Sequence, residues 1–350
     1  MNARFTLLFL ACVASTQCRA DSFAGLGREA QGFIPVTPGA TLAFPRDYGA
    51  HPGFRTEWWY VTANLHDATG ASYGVQWTLF RSATEPGPER EGWASQIVFM
   101  GHAAATSASE HLFAETLARG GVGQAGVVAE PFHAFIDNWA MTAQGDGISR
   151  LLLSAAVGQF RYRLQLTSDK EPVAQGDKGY SRKSERGQAS YYFSQPFYSV
   201  EGELVMRGAP VKVSGRAWMD REWSSQSLAP DQKGWDWFSL HLAGGEKLML
   251  FRLRSLAGRD FLAGTWIGVD GAPQQLEQDD ISIDPLTVTR LPVATLPTRW
   301  RLNVKSHGLT IETKPLNEAS WMGTRFAYWE GPISFEGSQR GEGYLEMTGY

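Results

Sequence analysis

The segment EWWYVTANL, residues 57–65, decides the fold, because it alternates with a period of two and returns later in the chain. When Leu65 is aligned with Leu242, it matches GWDWFSLHL, residues 234–242. Each copy is followed by a turn and a second alternating segment that ends in Phe-Arg. Alternation with this period is typical of β-strands, and a repeat in the same order predicts two similar β domains. The matched pairs are Trp58 with Trp235, Tyr60 with Trp237, Val61 with Phe238 and Thr62 with Ser239.

Alternating segments separated by glycine-rich or polar turns fill most of the remaining chain. This pattern predicts an all-β fold of two antiparallel β-barrels, the first formed by residues 21–230 and the second by residues 231–350. Only residues 108–119 show a weak helical pattern. The other predicted strands are 71–81, 95–104, 160–168, 246–255, 261–269, 298–306 and 341–350.

Residues 1–20 have the pattern of a secretory signal peptide. Arg4 precedes a short apolar run, and the segment ends in the small residue Ala20, so we predict cleavage there and a periplasmic or secreted protein. A lipoprotein anchor at Cys12 is the alternative. Because Cys12 and Cys18 are the only cysteines, the mature chain would have no disulfide and no thiol chemistry.

The composition and the motifs exclude several classes of function. The formal net charge of −4 gives no indication of a nucleic-acid partner. No later apolar run reaches the ~20 residues that span a bilayer, so stable membrane insertion is not expected. The chain has no G-x-S-x-G motif, no histidine spacing of a metal site and no dinucleotide-binding glycine pattern, so we predict neither a metal nor a cofactor. His102 and His241 are interpreted as core histidines.

The stretch GRAWMDREWSSQ, residues 215–226, concentrates charges and indole rings in one predicted strand. Alternation puts Trp218, Asp220 and Glu222 on one face, which either contacts solvent or lines a polar cavity. A tryptophan favours the cavity, because its ring is costly to leave in water. In the sequence alignment of the two copies, Glu346 is matched with Trp218, and the second copy lacks the Asp-Arg-Glu cluster. This indicates that folding does not require the cluster. A solvated group of ion pairs is the alternative.

If this face lines an apolar cavity, Asp220 is a candidate proton donor. Burial would raise its pKa, and a neighbouring Arg221 or Arg216 would oppose that rise. The aromatic rows that contain Trp58 and Trp235 could stabilise a developing cation through their ring faces, or could simply fill the barrels. The polar segment 168–188 is predicted to be a long loop, which is either a lid over a site or a hairpin tip.

Several motifs resemble the AttH / carotenoid 1,2-hydratase family over residues 54–350. They are FRTEWWYVTANL, GYSRK followed by GQASYYFS, GRAWMDREWSSQ, GWDWFSLHL and the terminal YLEMTGY. The resemblance implies two lipocalin-like barrels packed side by side. Members are regarded as predicted secreted hydrolases, some are associated with ABC export systems, and relatives include hydratases that protonate a carotenoid double bond and cyclases that fold a polyene. In the hydratases the proton donor is the aspartate of a Tyr-x-Asp motif, and Trp218-Met219-Asp220 stands at that place.

The function predicted from the sequence is therefore an exported protein that binds a hydrophobic small molecule between its barrels and acts on it by acid–base chemistry. A carrier that passes such a ligand to or from an ABC transporter is the alternative, and an interaction module is a third possibility. The candidate catalytic residues are Asp220, Arg221 and Glu222. The candidate ligand-binding residues are Trp58, Tyr60, Tyr192, Trp218, Trp235 and Trp237.

Overall fold

The computed structural model describes residues 23–350, so the predicted signal peptide lies outside the described residues. Almost all regular structure in this part of the chain is β-strand. Single 3-10 turns occur at Phe23–Gly25, Arg46–Tyr48, Gly92–Ala94, Gln278–Asp280 and Lys305–His307.

The strands form two separate antiparallel sheets, and each sheet uses one continuous part of the chain. The first sheet has thirteen strands: β1 Thr56–His66, β2 Ser72–Ala83, β3 Ile97–Ser107, β4 His111–Arg119, β5 Ala125–Ala129, β6 Phe132–Ile136, β7 Trp139–Ala143, β8 Arg150–Val157, β9 Phe160–Thr167, β10 Val173–Ala174, β11 Tyr180–Arg182, β12 Ala189–Met206 and β13 Val211–Ser224. The second has ten: β14 Gln232–Leu242, β15 Lys247–Ser255, β16 Phe261–Ile267, β17 Pro273–Leu276, β18 Ile281–Arg290, β19 Thr295–Val304, β20 Leu309–Pro315, β21 Trp321–Met322, β22 Tyr328–Gly337 and β23 Gly341–Thr348.

The two sheets curve into lipocalin-like barrels of unequal closure. In the first, the order runs β4-β3-β2-β1-β13-β12-β9-β8-β7-β6-β5, and β6 contacts β2, β3 and β4, so the barrel is nearly closed. In the second, the order runs β17-β16-β15-β14-β23-β22-β20-β19-β18, which makes a half-barrel. The predicted all-β fold of two lipocalin-like barrels side by side is confirmed. The predicted division after residue 230 falls in the connection between β13 and β14.

One local prediction was wrong. The stretch 108–119 is not helical, because His111–Arg119 forms β4 and pairs along its length with β3. The cross-strand hydrogen bonds of this pairing satisfy the backbone groups that a helix would have paired internally. Tertiary pairing therefore decides a segment whose helical pattern was weak.

The repeat is visible in the strand pairing, and the pairing corrects the alignment made from the sequence. Strand β1 pairs with β13 so that Tyr60 stands opposite Asp220. Strand β14 pairs with β23 so that Trp237 stands opposite Glu346. Since Tyr60 and Trp237 are matched positions, Glu346 corresponds to Asp220, two residues away from the predicted match with Trp218. The second copy therefore does carry a carboxyl group at this position.

Alternation along the strands gives each sheet an inner face and a face that meets the other sheet. Trp59 points into the core of the first barrel, and Phe238 points into the core of the second. Their neighbours Tyr60 and Trp237 instead belong to a third cluster, which contains residues of both sheets. This shared interface positions the site described next.

Within residues 23–350 no helix has the length and apolar character needed to cross a membrane.

Candidate active site between the two sheets

A cavity of about 560 Å³ opens between the sheets at one end of their interface. Its walls are mainly aromatic and aliphatic, and β1, β2, β13, β14, β15 and β23 contribute side chains to them. Five of the six predicted ligand-binding aromatics line it, while Trp218 is fully buried behind the wall. The aromatic lining residues are Phe23, Trp58, Tyr60, Phe80, Tyr192, Trp235, Trp237, Phe251, Phe326 and Tyr328.

Asp220 lines this cavity from the middle of β13, and it is almost completely buried. The Tyr192 hydroxyl donates a hydrogen bond to Oδ2 at 2.8 Å. The Ser194 hydroxyl and the Trp218 indole N–H donate to Oδ1 at 2.5 and 2.7 Å. The register of β12 against β13 produces this arrangement, because it sets Ser194 opposite Asp220 and Tyr192 opposite Glu222.

The pKa of Asp220 is raised to about 7. Removal from water is the largest cause, because burial disfavours the charged form of a carboxyl group. The three hydrogen bonds oppose the rise and the nearby Glu222 adds to it. At neutral pH a substantial fraction of the Asp220 carboxyl group is therefore protonated.

Glu222 is the second carboxyl group of the cavity wall, and Lys183 neutralises it. The Lys183 ammonium lies 2.9 Å from Glu222 Oε1 and faces the rings of Tyr192 and Phe251 at 5.0 and 4.5 Å. Lys183 belongs to the polar segment 168–188, whose short strands β10 and β11 pair with β12. This segment is thus folded onto the sheet, and its Lys183 forms part of the cavity wall.

Two further buried carboxyl groups come from the second sheet, and the sequence analysis assigned a role to neither. Glu346 lines the cavity, and the Trp235 indole N–H donates a hydrogen bond to its Oε1 at 2.5 Å. Burial, with the charges of Asp220 and Glu222, raises the pKa of Glu346 to about 7. Glu330 stands opposite Glu346 in the sheet and accepts a hydrogen bond from the Tyr60 hydroxyl at 2.5 Å. Burial also raises the pKa of Glu330 well above its usual range.

Polar contacts also run from the interface between the sheets to the surface. The Tyr328 hydroxyl lies 2.9 Å from Nδ1 of His102. The other ring nitrogen of His102 lies 3.2 Å from Oε2 of Glu115, which is partly exposed. His102 is buried as predicted, and burial lowers its pKa. The contact between His102 and Tyr328 joins β3 of the first sheet to β22 of the second.

The AttH-like family profile matches residues 35–350 of the chain. The chain belongs to the AttH-like family. Among solved structures, a protein of Nitrosomonas europaea described as AttH is 32% identical, with a TM-score of 0.80 over 91% of this chain and 100% of that one. Kievitone hydratase from Nectria haematococca is 16% identical, with a TM-score of 0.68 over 91% of this chain and 96% of that one. CghA is 12% identical, with a TM-score of 0.51 over 92% and 97%.

The likenesses to kievitone hydratase and CghA show the fold alone. No curated protein matches this AttH-like chain in sequence.

Arg221 does not lie beside Asp220 in this AttH-like structure. Consecutive residues of a strand point to opposite faces, so Arg221 points into the first barrel. There it forms a buried ion pair with Glu57, which also lies 3.1 Å from Nη1 of Arg81. The guanidinium of Arg221 is 3.9 Å from the centre of the Trp59 ring. Arg216 lies four residues before Asp220 on β13, and its side chain is exposed. Neither arginine is among the groups that lower the pKa of Asp220.

The arrangement supplies the groups needed for proton transfer to an apolar molecule. Asp220 can hold a proton at neutral pH, and a carboxyl group with a pKa near the working pH can both give and take one. The neighbouring ring faces can stabilise positive charge that develops nearby. Within residues 23–350 no group of three or more His, Cys, Asp or Glu side chains is arranged to hold a metal ion.

Proposed function

We propose that this AttH-like protein binds an apolar small molecule in the cavity between the sheets and transfers a proton from Asp220 to one of its carbon atoms. The observation that carries the proposal is a carboxyl group with a pKa of about 7 in a largely aromatic cavity. The name of the structural neighbour kievitone hydratase suggests the class of reaction, which is addition of water to a double bond. The N-terminal signal pattern supports action outside the cytoplasm.

The proposed reaction begins when the proton of Asp220 forms a C–H bond with one carbon of an alkene. The other carbon then carries a positive charge, which the electron-rich faces of Trp58 and Trp237 stabilise. A water molecule forms a C–O bond with this carbon, and the proton that it releases passes to a carboxylate. Glu346 is suited to this role, because it lines the same cavity and its pKa is also about 7. If the cation instead loses a proton from a carbon next to the charged one, the double bond moves and the reaction is an isomerisation.

The alternative is a carrier, which needs the apolar cavity but no acid inside it. In a carrier, Asp220 would be expected to pair with Arg216 or Arg221 away from the ligand. The observed partners of Asp220 are instead Tyr192, Ser194 and Trp218. This difference favours the enzyme.

Deuterium transfer from solvent tests the proposal. Native mass spectrometry of the purified full chain would identify any bound small molecule. That molecule is then incubated with the protein in deuterated water, and squalene, geranylgeraniol and lycopene are tested as alkene substrates in the same way. We expect wild-type protein to place deuterium on carbon. Asp220→Asn should lower that rate by about 100-fold or more, the usual contribution of a general acid. The matched control Asp284→Asn changes an exposed carboxyl group on β18 and should behave as wild type.

Retinol fluorescence reports binding separately from chemistry in the same proteins. Retention of retinol binding by Asp220→Asn, together with loss of deuterium transfer, supports the enzyme. Equal binding by both proteins with no deuterium transfer by wild type would establish the carrier. Equal deuterium transfer by wild type and Asp220→Asn would show that another group donates the proton.

A further inference from the structure

A second cleft, of about 820 Å³, lies at the opposite end of the same interface between the sheets. The two openings are separated by Trp218, whose indole N–H donates to Asp220 and whose ring lies 6.0 Å from the ring of His241. His241 and Arg216 line the second cleft, and neither lines the cavity that contains Asp220. The two sites therefore share a wall but use different residues.

His241 lines this cleft and is almost completely buried. The residue is 2% exposed, and within residues 23–350 its buried Nδ1 has no hydrogen-bond partner. A buried polar group without a partner costs free energy, so its presence calls for an explanation. Burial and the positive charges of Lys247 and Arg216 lower the pKa of His241 well below its usual value. The ring is therefore neutral and has one N–H group to donate.

Basic groups lie in and beside the cleft. Arg216 and Arg340 line it, and across residues 23–350 Arg216 forms no ion pair with a carboxylate. Lys247 lies outside the lining, where its ammonium donates to the Gly245 carbonyl at 2.8 Å, and burial and the charge of Arg216 lower its pKa to about 8. An anion bound at Arg216 would relieve the repulsion between these like charges.

Three carboxyl groups also line the cleft. Glu342 lies 2.8 Å from the ring of His66, which can neutralise it. Glu201 and Glu336 are exposed, and neither forms an ion pair with Arg216. The remaining walls include the apolar side chains of Val200, Leu316, Pro332, Ile333 and Phe335.

We propose that this second cleft binds a small molecule that carries a carboxylate on an apolar chain. The carboxylate forms an ion pair with Arg216 and accepts a hydrogen bond from the N–H of His241. The apolar chain of the ligand lies against the wall near Pro332 and Ile333. This assignment gives Arg216 a partner of opposite charge and gives the His241 ring a hydrogen-bond acceptor. It does not depend on the proton transfer proposed for Asp220, because the residues and the ligand chemistry are different.

Octanoate is the probe for this site, and octyltrimethylammonium is the matched cation of equal chain length. Both are titrated into the full chain while the ring nitrogen signals of His241 are followed by NMR. We expect octanoate to shift these signals in a saturable way and the cation to leave them unchanged. Arg216→Gln should weaken octanoate binding about tenfold, as loss of a charge-assisted hydrogen bond would. Lys212→Gln removes an equal charge from the exposed part of the same strand and should bind as wild type.

Other outcomes would overturn the proposal. Equal shifts with both probes would mean that only the chain is recognised, and octanoate that shifts His102 but not His241 would be in the other cavity. Wild-type affinity in Arg216→Gln would remove the ion pair from the argument. Since Arg216 is exposed, its replacement by glutamine should leave the fold intact, so a change in affinity reports the site and not the fold. Inorganic phosphate is a third probe, and tighter binding of phosphate than of octanoate would contradict the assignment of a chain-bearing carboxylate.

Discussion

Asp220 and Glu346 occupy equivalent positions in the two sheets, but their surroundings differ. Asp220 accepts hydrogen bonds from Tyr192, Ser194 and Trp218, whereas Glu346 is hydrogen-bonded to Trp235. Donors stabilise the charged form of a carboxyl group, and burial and like charges disfavour it. In both residues burial is the larger effect, so each of the two acids that share the cavity is partly protonated near neutral pH.

The pKa of Asp220 predicts how stability depends on pH. In the folded chain it is about 7 against an ordinary value of 3.8, so the folded state binds more protons than the unfolded state between these values. The free energy of unfolding should therefore fall as the pH rises through this window, by up to about 1.4 kcal/mol per unit for this one group. Asp220→Asn removes the contribution, so its stability should fall less steeply than that of wild type. Urea unfolding at a series of pH values measures both slopes.

Glu346 titrates in the same window, and the charge of Asp220 helps to raise its pKa, so the difference between the slopes reports Asp220 together with its effect on Glu346. Asparagine is a suitable replacement, because its amide oxygen can accept the bonds from Ser194 and Trp218 and its NH₂ group can donate to the Tyr192 hydroxyl. Asp284→Asn should retain the wild-type slope. Parallel curves for wild type and Asp220→Asn would mean that Asp220 is already charged at low pH.

At the scale of single residues, strand alternation in the sequence predicted part of the site correctly, and the same alternation explains why the prediction for Arg221 was wrong. Period-two alternation places Asp220 and Glu222 on one face, and the structure brings both to the cavity. The same rule sends Arg221 to the other face, so closeness in sequence was misleading. Lys183 and Glu330 come from elements remote in the chain, and no local pattern links them to β13.

Strand β2 determines how closely the two sheets approach. A Cβ atom added at Gly74 would lie 2.5 Å from Pro332 Cγ and 2.6 Å from the Tyr344 hydroxyl. Both of these residues belong to the second sheet. A glycine at this position therefore allows β2 to pack against β22 and β23.

Gly74→Ala should destabilise the protein, because the methyl group forces the sheets apart or distorts them. Overpacking of this kind typically costs about 1–3 kcal/mol, which urea unfolding would detect. Gly158→Ala is the matched control, since a Cβ there meets nothing within 4 Å and its change should stay within about 0.5 kcal/mol. Equal stability of the two variants would show that the sheets can separate at this point without cost.

The strands themselves were largely predictable, because alternation records which side chains are buried. The weak helical pattern at residues 108–119 failed, because pairing with β3 outweighs local preference. The unequal closure of the barrels was not predictable either. Closure depends on contacts such as those between β4 and β6, which are set by the tilt of whole strands and leave no local pattern in the sequence.

At the scale of the whole molecule, the two barrels share one buried interface. Tyr60 and Trp218 of the first sheet pack in the same cluster as Trp237 and Phe251 of the second. The side-chain amide of Asn64 donates to the Gly343 carbonyl of the other sheet at 2.9 Å. The hydrogen bonds of Glu330 and His102 described above also cross this interface. Separation of the barrels would expose the apolar cluster and break these bonds.

We therefore expect the two barrels to unfold together. Differential scanning calorimetry of the full chain should show one transition, with a calorimetric enthalpy equal to the van't Hoff enthalpy. Gly74→Ala, which disturbs only the interface, should move this whole transition to lower temperature. Two transitions in wild type, or a shift confined to part of the heat absorption in Gly74→Ala, would show that each barrel is stable alone. The cavity would then lie between independent domains, and its volume would vary with their separation, whereas a single transition means that the cavity and both of its acids form and are lost with the fold itself.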